Sequence, residues 1–247
     1  MKLNQKKCIL LKMNSIQNVY YIDGEALPIA DSAAYLGTCM TAKADPHAEV
    51  SSRIASTGQV LAKLDMFWKR APVSTSWKLR VHDAVITSKL LYGLESASLT
   101  KADLARLDAF QFKALRRIMN VSHPYYSGIT NIAVMQAANQ RLVNSGSKET
   151  KMMSERLIDR QVKFMGRLIR ANEGDITKTC TMTENGMRTA AGWRRVGRPK
   201  IKWYDNVMKE CIRRLVSSNI IVADWERHMR LEEAIGIVVE SAMERLL

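Results

Sequence analysis

From Asp45 to about Val143 the sequence repeats one instruction: a residue able to cap a helix, then apolar side chains three and four positions apart. That spacing gathers apolar groups on one face of an α-helix and cannot make the alternating face of a strand. Asp45-Pro46 offers a carboxylate N-cap and a proline at the first helical position. The helix it opens is expected to run to about Arg70, before Pro72, and to tolerate Gly58. Ser74–Ser76 open a second, with Trp77, Val81, Val85 and Leu90 among its apolar positions, ending near Gly93. Thr100 and Asp103 have the spacing of a capping box for a third, which carries Leu104, Leu107, Phe110, Ala114 and Ile118. Pro124 and Gly128 break the chain before a fourth, at about 130–143.

The flanks read differently. Before Asp45, Lys7–Met13, Asn18–Ile22 and Ala33–Gly37 are short strand-like runs, with Asp23-Gly24 as turn chemistry after the second. After the helical stretch, Asn144–Ser147 reads as a linker. A helix is expected at about 149–171, an irregular stretch at 172–200, and further helices at about 201–217 and 222–246. Trp203, Val207, Met208, Cys211 and Leu215 form the apolar side of the first of these last two. The expected architecture is mainly α: a small N-terminal β-hairpin element over residues 1–42, a helical bundle over 43–145, and a basic helical C-terminal region over 146–247.

Charge narrows the class of partner. The chain has 247 residues, with 38 Lys+Arg against 24 Asp+Glu, a formal net charge of +14. Such an excess favours a polyanion, because a lysine or arginine laid on a phosphate releases condensed counterions. Two segments concentrate it. Arg156, Arg160, Lys163, Arg167 and Arg170 recur at steps of 4, 3, 4 and 3, which on a helix makes a stripe roughly 80° wide. Glu155 and Asp159 lie beside the stripe but outside it. The pattern suits either a solvated face or a row of phosphate contacts. Between Glu184 and Asp205 stand Arg188, Arg194, Arg195, Arg198, Lys200 and Lys202 with no acid. There Gly197-Arg198-Pro199 imposes an extended or turning course, giving an Arg-rich arm at about 188–202. Trp193 and Trp203 flank the arm's core and could stack on bases, although Trp203, more than Trp193, suits anchoring the helix that follows.

Catalytic constellations are not found. Glu232-Glu233 is an adjacent acidic pair on an expected helix, where neighbours point about 100° apart, which is poor geometry for a metal pair. No phosphate-binding P-loop and no G-x-S-x-G elbow occurs. His82-Asp83 are neighbours that diverge on a helix. Cys8, Cys39, Cys180 and Cys211 are far apart, as are the four histidines, so neither a metal site nor a disulfide framework is expected. The apolar runs Cys8–Leu11 and Ile220–Ala223 end at Lys12 and Asp224, far short of the ~18 residues of a membrane span. The N-terminus lacks the apolar stretch of a signal peptide. A nuclear or cytoplasmic place, rather than secretion or a membrane, is the expectation.

Seven short motifs then follow in order: Leu3-Asn4-x-x-Lys7-Cys8, Tyr35-Leu36-Gly37, Glu49-x-x-x-Arg53-Ile54-Ala55, Leu90-Leu91-Tyr92-Gly93-Leu94-Glu95-Ser96, Phe110-Gln111-x-x-x-Leu115-Arg116-Arg117-Ile118, Ile129-Thr130-Asn131, and Gly197-Arg198-Pro199-Lys200-x-Lys202-Trp203-x-Asp205. The series resembles the C-terminal part of a non-LTR (LINE-type) retrotransposon reverse transcriptase. The resemblance covers nearly the whole chain and thins after about residue 226. It implies that Leu3–Lys7 matches the end of the palm, with Lys7 at the position of a lysine assisting pyrophosphate departure. Tyr35-Leu36-Gly37 matches the hairpin that grips the primer end, and 45–143 the helical thumb along the template–primer duplex. The remainder matches a basic region that contacts RNA template or target DNA. The sequence departs from the family in having Gly166-Arg167 where many relatives have Gly-His, and in lacking their Cys/His knuckle.

The resulting expectation is a nucleic-acid-binding fragment of an RNA-directed DNA polymerase, inactive as an isolated chain because the metal-binding aspartates of the palm lie upstream. No cofactor is expected here, since Mg²⁺ would belong to that palm. The expected partners are RNA or DNA and the missing N-terminal polymerase portion. The expected contacts are Lys113, Arg116 and Arg117, the Arg156–Arg170 stripe, and the arm from Arg188 through Trp193 to Lys202. The rival reading is a basic helical protein that meets an acidic protein or membrane surface.

Overall fold

The structure is a computed structural model and describes residues 4, 8–12, 15–43, 45–172, 174–182, 203–217 and 237. It is mainly helical, with a small antiparallel hairpin near the N-terminus. The chain divides into two compact units, one made of Met1–Gly93 with Lys101–Thr150, the other of Leu94–Thr100 with Lys151–Leu247. The β-element of residues 1–42 therefore belongs to the same unit as the helices that follow it. The short segment Leu94–Thr100, within the range expected for the bundle, belongs instead to the second unit.

In the first unit, β1 (Ser32–Tyr35) pairs with β2 (Thr38–Thr41), Tyr35 opposite Thr38. The two-residue loop between them places both Leu36 (φ 48°) and Gly37 (φ 80°) in the left-handed region, as a tight hairpin turn of the I′ kind requires. The hairpin is therefore shorter than the expected strand Ala33–Gly37, which ends at Tyr35 because Leu36 and Gly37 turn the chain. Asn18–Ile22 does not form a full strand. It makes a single bridge from Tyr20 to Ala26 around the Asp23-Gly24 turn.

The helix starts are where local chemistry put them. Asp45 accepts the His47 N–H at the start of α1 (Pro46–Lys63), Ser74 accepts the Trp77 N–H ahead of α3 (Thr75–Val81), and Thr130 accepts the Ala133 N–H ahead of α7 (Asn131–Asn144). The first helix does not run unbroken to Arg70. Leu64 leaves helical geometry (φ −90°, ψ 13°) and a separate short α2 (Asp65–Arg70) begins. Gly58 is not the break; it faces α5 (Lys101–Met119), and a Cβ there would meet the Phe110 ring at 3.8 Å, an ordinary van der Waals contact. After α3 the chain widens into a π-helical segment, His82–Thr87, before the single turn α4 (Ser88–Leu90). This helical stretch buries Leu79, Ile86 and Leu90, while Trp77 and Val85, expected inside, remain substantially exposed. The insertion of a wider turn shifts the face that meets the core, which a constant 3.6-residue period cannot anticipate. On α5 the periodic reading holds for Leu107, Phe110, Ala114 and Ile118, which are buried, while Leu104 is half-buried.

Motifs distant in sequence meet in a buried network beneath the hairpin. Glu49 accepts a hydrogen bond from the Cys39 N–H and another from Arg53. Arg53 in turn donates to the Gly37 carbonyl at 2.7 Å and lies 5.0 Å from the centre of the Tyr92 ring. Gly93 (φ +74°) closes the cluster, and a Cβ there would stand 3.0 Å from Thr38 Oγ1. Arg53 thus ties down the turn that holds Leu36, a bulky residue in a conformation it seldom adopts.

In the second unit, α8 (Met153–Arg170) packs on α10 (Trp203–Ser217). Met165, Leu168 and Ile169 meet Tyr204, Val207, Met208, Cys211 and Ile212 in one core. Leu94–Thr100 is tied in from both helices: Gln161 donates to the Ala97 carbonyl at 3.1 Å, and Trp203 Nε1 to the Glu95 carbonyl at 2.7 Å. Trp203 is therefore an anchor of its helix, half-buried and edge-on to Phe164. Leu215, expected in the core, is only partly buried. Ile176–Thr181, expected to be irregular, forms a short α9 capped by Asp175, whose side chain accepts the Lys178 N–H. Residues 183–202 and the helix expected at 222–246, except Ile237, lie outside the described residues. No helix among the described residues is long and apolar enough to cross a membrane.

Candidate nucleic-acid interface

The stripe on α8 forms, and its cations are unequal. Lys163, Arg167 and Arg170 are exposed, whereas Arg156 and Arg160 are half-buried and already engaged by neighbouring groups. The acids beside the stripe are occupied elsewhere. Glu155 accepts the Met152 N–H at the helix start. Asp159 takes Lys151 at 2.9 Å and Arg214 at 2.8 Å. Burial raises the Asp159 pKa, but the hydrogen bonds from Lys151 and Arg214 outweigh it and hold the carboxyl below the usual range. Among the described residues no carboxylate pairs with Lys163, Arg167 or Arg170. Arg167 rests 5.6 Å from the centre of the Phe164 ring, and Arg170 folds back over Gly166, where a Cβ would come within 3.2 Å of its guanidinium. These are three exposed cations along one face of a helix, suited to a line of phosphates.

The basic residues expected on α5 to contact nucleic acid separate into different roles. Arg116, expected to contact nucleic acid directly, is only 7% exposed. Its guanidinium donates to Asn131 Oδ1 at 2.9 Å, to the Ser122 carbonyl at 2.6 Å and to the Ile129 carbonyl. It clamps the loop after α5 onto the start of α7, because a planar fork of donors can satisfy several carbonyls at once. Arg117 pairs with Asp65 at 3.0 Å, and Lys69 pairs with the same carboxylate at 2.8 Å. Lys69 and then Arg117 hold the Asp65 carboxyl below its ordinary pKa, against the opposing effect of desolvation. Lys113 is exposed and has no ion-pair partner among the described residues.

Around these side chains lies a cleft of about 630 Å³, lined by Lys69, Phe112, Lys113, Arg116, Arg117 and His123 with apolar and backbone groups between them. Lys69 and His123 were not singled out in the sequence. The only local sign was Pro124, which reads as a chain break and conceals the single turn α6 (Pro124–Ser127) that follows His123.

The remaining expected positions are distributed as follows. Tyr35 and Leu36 are exposed at the hairpin tip with Gly37, where the resemblance puts a primer-gripping turn. Lys7, Arg188, Trp193, Arg194, Arg195, Arg198, Lys200 and Lys202 lie outside the described residues. The four cysteines are free, and burial pushes the Cys211 thiol up to about 11, which suits packing rather than nucleophilic chemistry. No group of three or more His, Cys, Asp or Glu side chains able to hold a metal is found among the described residues. No protein-family profile matches the chain, and neither does any curated protein or any solved structure.

Proposed function

We infer that the chain binds nucleic acid through its phosphate backbone, in the manner of the thumb and C-terminal region of a LINE-type retrotransposon reverse transcriptase. The observation that carries the reading is the row Lys163, Arg167 and Arg170 on α8, exposed and without carboxylate partners among the described residues while the nearby acids are committed elsewhere. A net charge of +14 supplies the long-range attraction. Two further features support the family reading. Motif residues Gly37, Glu49, Arg53, Tyr92 and Gly93 meet around one hairpin. Arg116 and Asn131, from two other motifs, are hydrogen-bonded. In this reading the hairpin addresses a primer end, the helices of the first unit lie along a template–primer duplex, and the basic second unit takes RNA template or target DNA. Contacts to phosphate fix register and carry little sequence preference.

The test is fluorescence anisotropy with a labelled duplex and with anionic phosphatidylserine vesicles. The reading expects duplex binding that weakens at least tenfold in Lys163→Gln/Arg167→Gln/Arg170→Gln. Binding to vesicles alone would replace it with a membrane-surface role.

A further inference from the structure

We propose that the cleft beside α6 seats an unpaired nucleic-acid strand, with its phosphates on Lys113 and Lys69 and its bases on the rings of Tyr125 and Tyr126. The proposal rests on the nucleic-acid reading above and adds to it a site and a strand type.

The charge of the cleft is the first support. Arg116 is a more than nine-tenths buried guanidinium in the cleft wall whose hydrogen-bond partners, Asn131, Ser122, Ser127 and Ile129, are all neutral. A buried charge without a counter-ion is costly, and an anion in the adjacent space relieves it. Lys69, Lys113 and Arg117 add three more cations, against which stands Asp65, paired with Lys69 and Arg117. The excess is positive, and Lys113 is left to meet a ligand.

The second support is independent of charge. Tyr125 and Tyr126 are 84% and 80% exposed, with ring centroids 5.2 Å apart and planes near perpendicular. Exposed tyrosines on a one-turn helix add nothing to a core, yet they offer two aromatic faces. The His123 ring connects them to the cations: it lines the cleft and stands edge-on to Tyr126 at 6.5 Å. A positive groove joined to aromatic faces is how proteins hold single strands with little sequence preference. A duplex has its interior bases stacked on each other and leaves only its end faces to the rings.

Anisotropy with a labelled twelve-nucleotide oligouridylate and a blunt duplex of equal length tests this on the full chain. Tyr125→Ala/Tyr126→Ala, at exposed positions, is expected to weaken oligouridylate binding about tenfold or more and duplex binding by no more than about twofold. Lys113→Gln is expected to lower the salt slope for oligouridylate by roughly 0.7, the loss of one single-strand phosphate contact. Unchanged oligouridylate affinity in the tyrosine variant, or equal losses on both probes, overturns the site, as does an unchanged slope for Lys113→Gln. If the wild-type chain binds neither probe, the parent reading falls along with it.

Discussion

Arg53 and Tyr92 hold the turn of the β-hairpin, the guanidinium 5.0 Å from the ring centre and bonded to the carbonyl of Gly37. Glu49, equally buried, neutralises Arg53 one helical turn away. Removing one partner of a buried pair strands the other charge, which costs about 3–5 kcal/mol. Arg53→Met is therefore expected to lower stability by about 3 kcal/mol or more in urea denaturation. Glu49→Leu/Arg53→Met, which removes both charges, should recover much of that loss. A loss under about 1 kcal/mol in the single variant would show that the pair does not hold the hairpin.

Trp203 joins α10 to the Leu94–Thr100 segment through one hydrogen bond and to α8 through Phe164. Trp203→Phe keeps an aromatic ring and loses the donor to the Glu95 carbonyl, so it should cost about 1 kcal/mol. Trp203→Ala loses the ring as well and should cost about 2–3 kcal/mol, below the cost for a fully buried tryptophan because the ring is half-exposed. Denaturation midpoints of the two variants check the order. Equal losses would mean that the ring contacts contribute nothing.

His47 Nδ1 donates to the buried carboxylate of Asp103 at 2.6 Å, and this hydrogen bond, followed by the Coulomb attraction of Asp103, raises the His47 pKa. A folded-state pKa above the unfolded value near 6.5 means that protonation favours the folded state. The contribution is fully present below about pH 6.5 and is lost as pH rises through the folded-state pKa. His47→Gln should therefore lie furthest below wild type in stability at mildly acidic pH and approach it as pH increases, as read from melting temperatures across the range. A difference that grows with pH would reverse the sign and refute the pairing.

Legibility from sequence followed the range of the interactions. Asp45, Ser74 and Thr130 cap helices through groups two or three residues away, so their roles stand in the sequence. The amphipathic face of α5 was legible for the same reason. Arg116 and Arg117 were not distinguishable as adjacent basic residues. One turns inward to carbonyls of the following loop and the other outward to Asp65, a choice set by tertiary packing. His47 and Asp103, 56 positions apart, carry no local sign of their pairing. On α8 the stripe was visible as periodicity, but the withdrawal of Arg156 and Arg160 from full exposure depends on what packs beside them.

The most direct test of the central claim is the slope of log Kd against log salt for a labelled DNA duplex, compared between the wild-type chain and Lys163→Gln/Arg167→Gln/Arg170→Gln. Each duplex phosphate neutralised contributes about 0.9 to that slope. If the three exposed cations of α8 lie on phosphates, the wild-type chain binds with a steep slope and the variant is shallower by about 2 to 3. A wild-type affinity that does not change with salt, or identical slopes for the two proteins, would contradict the claim.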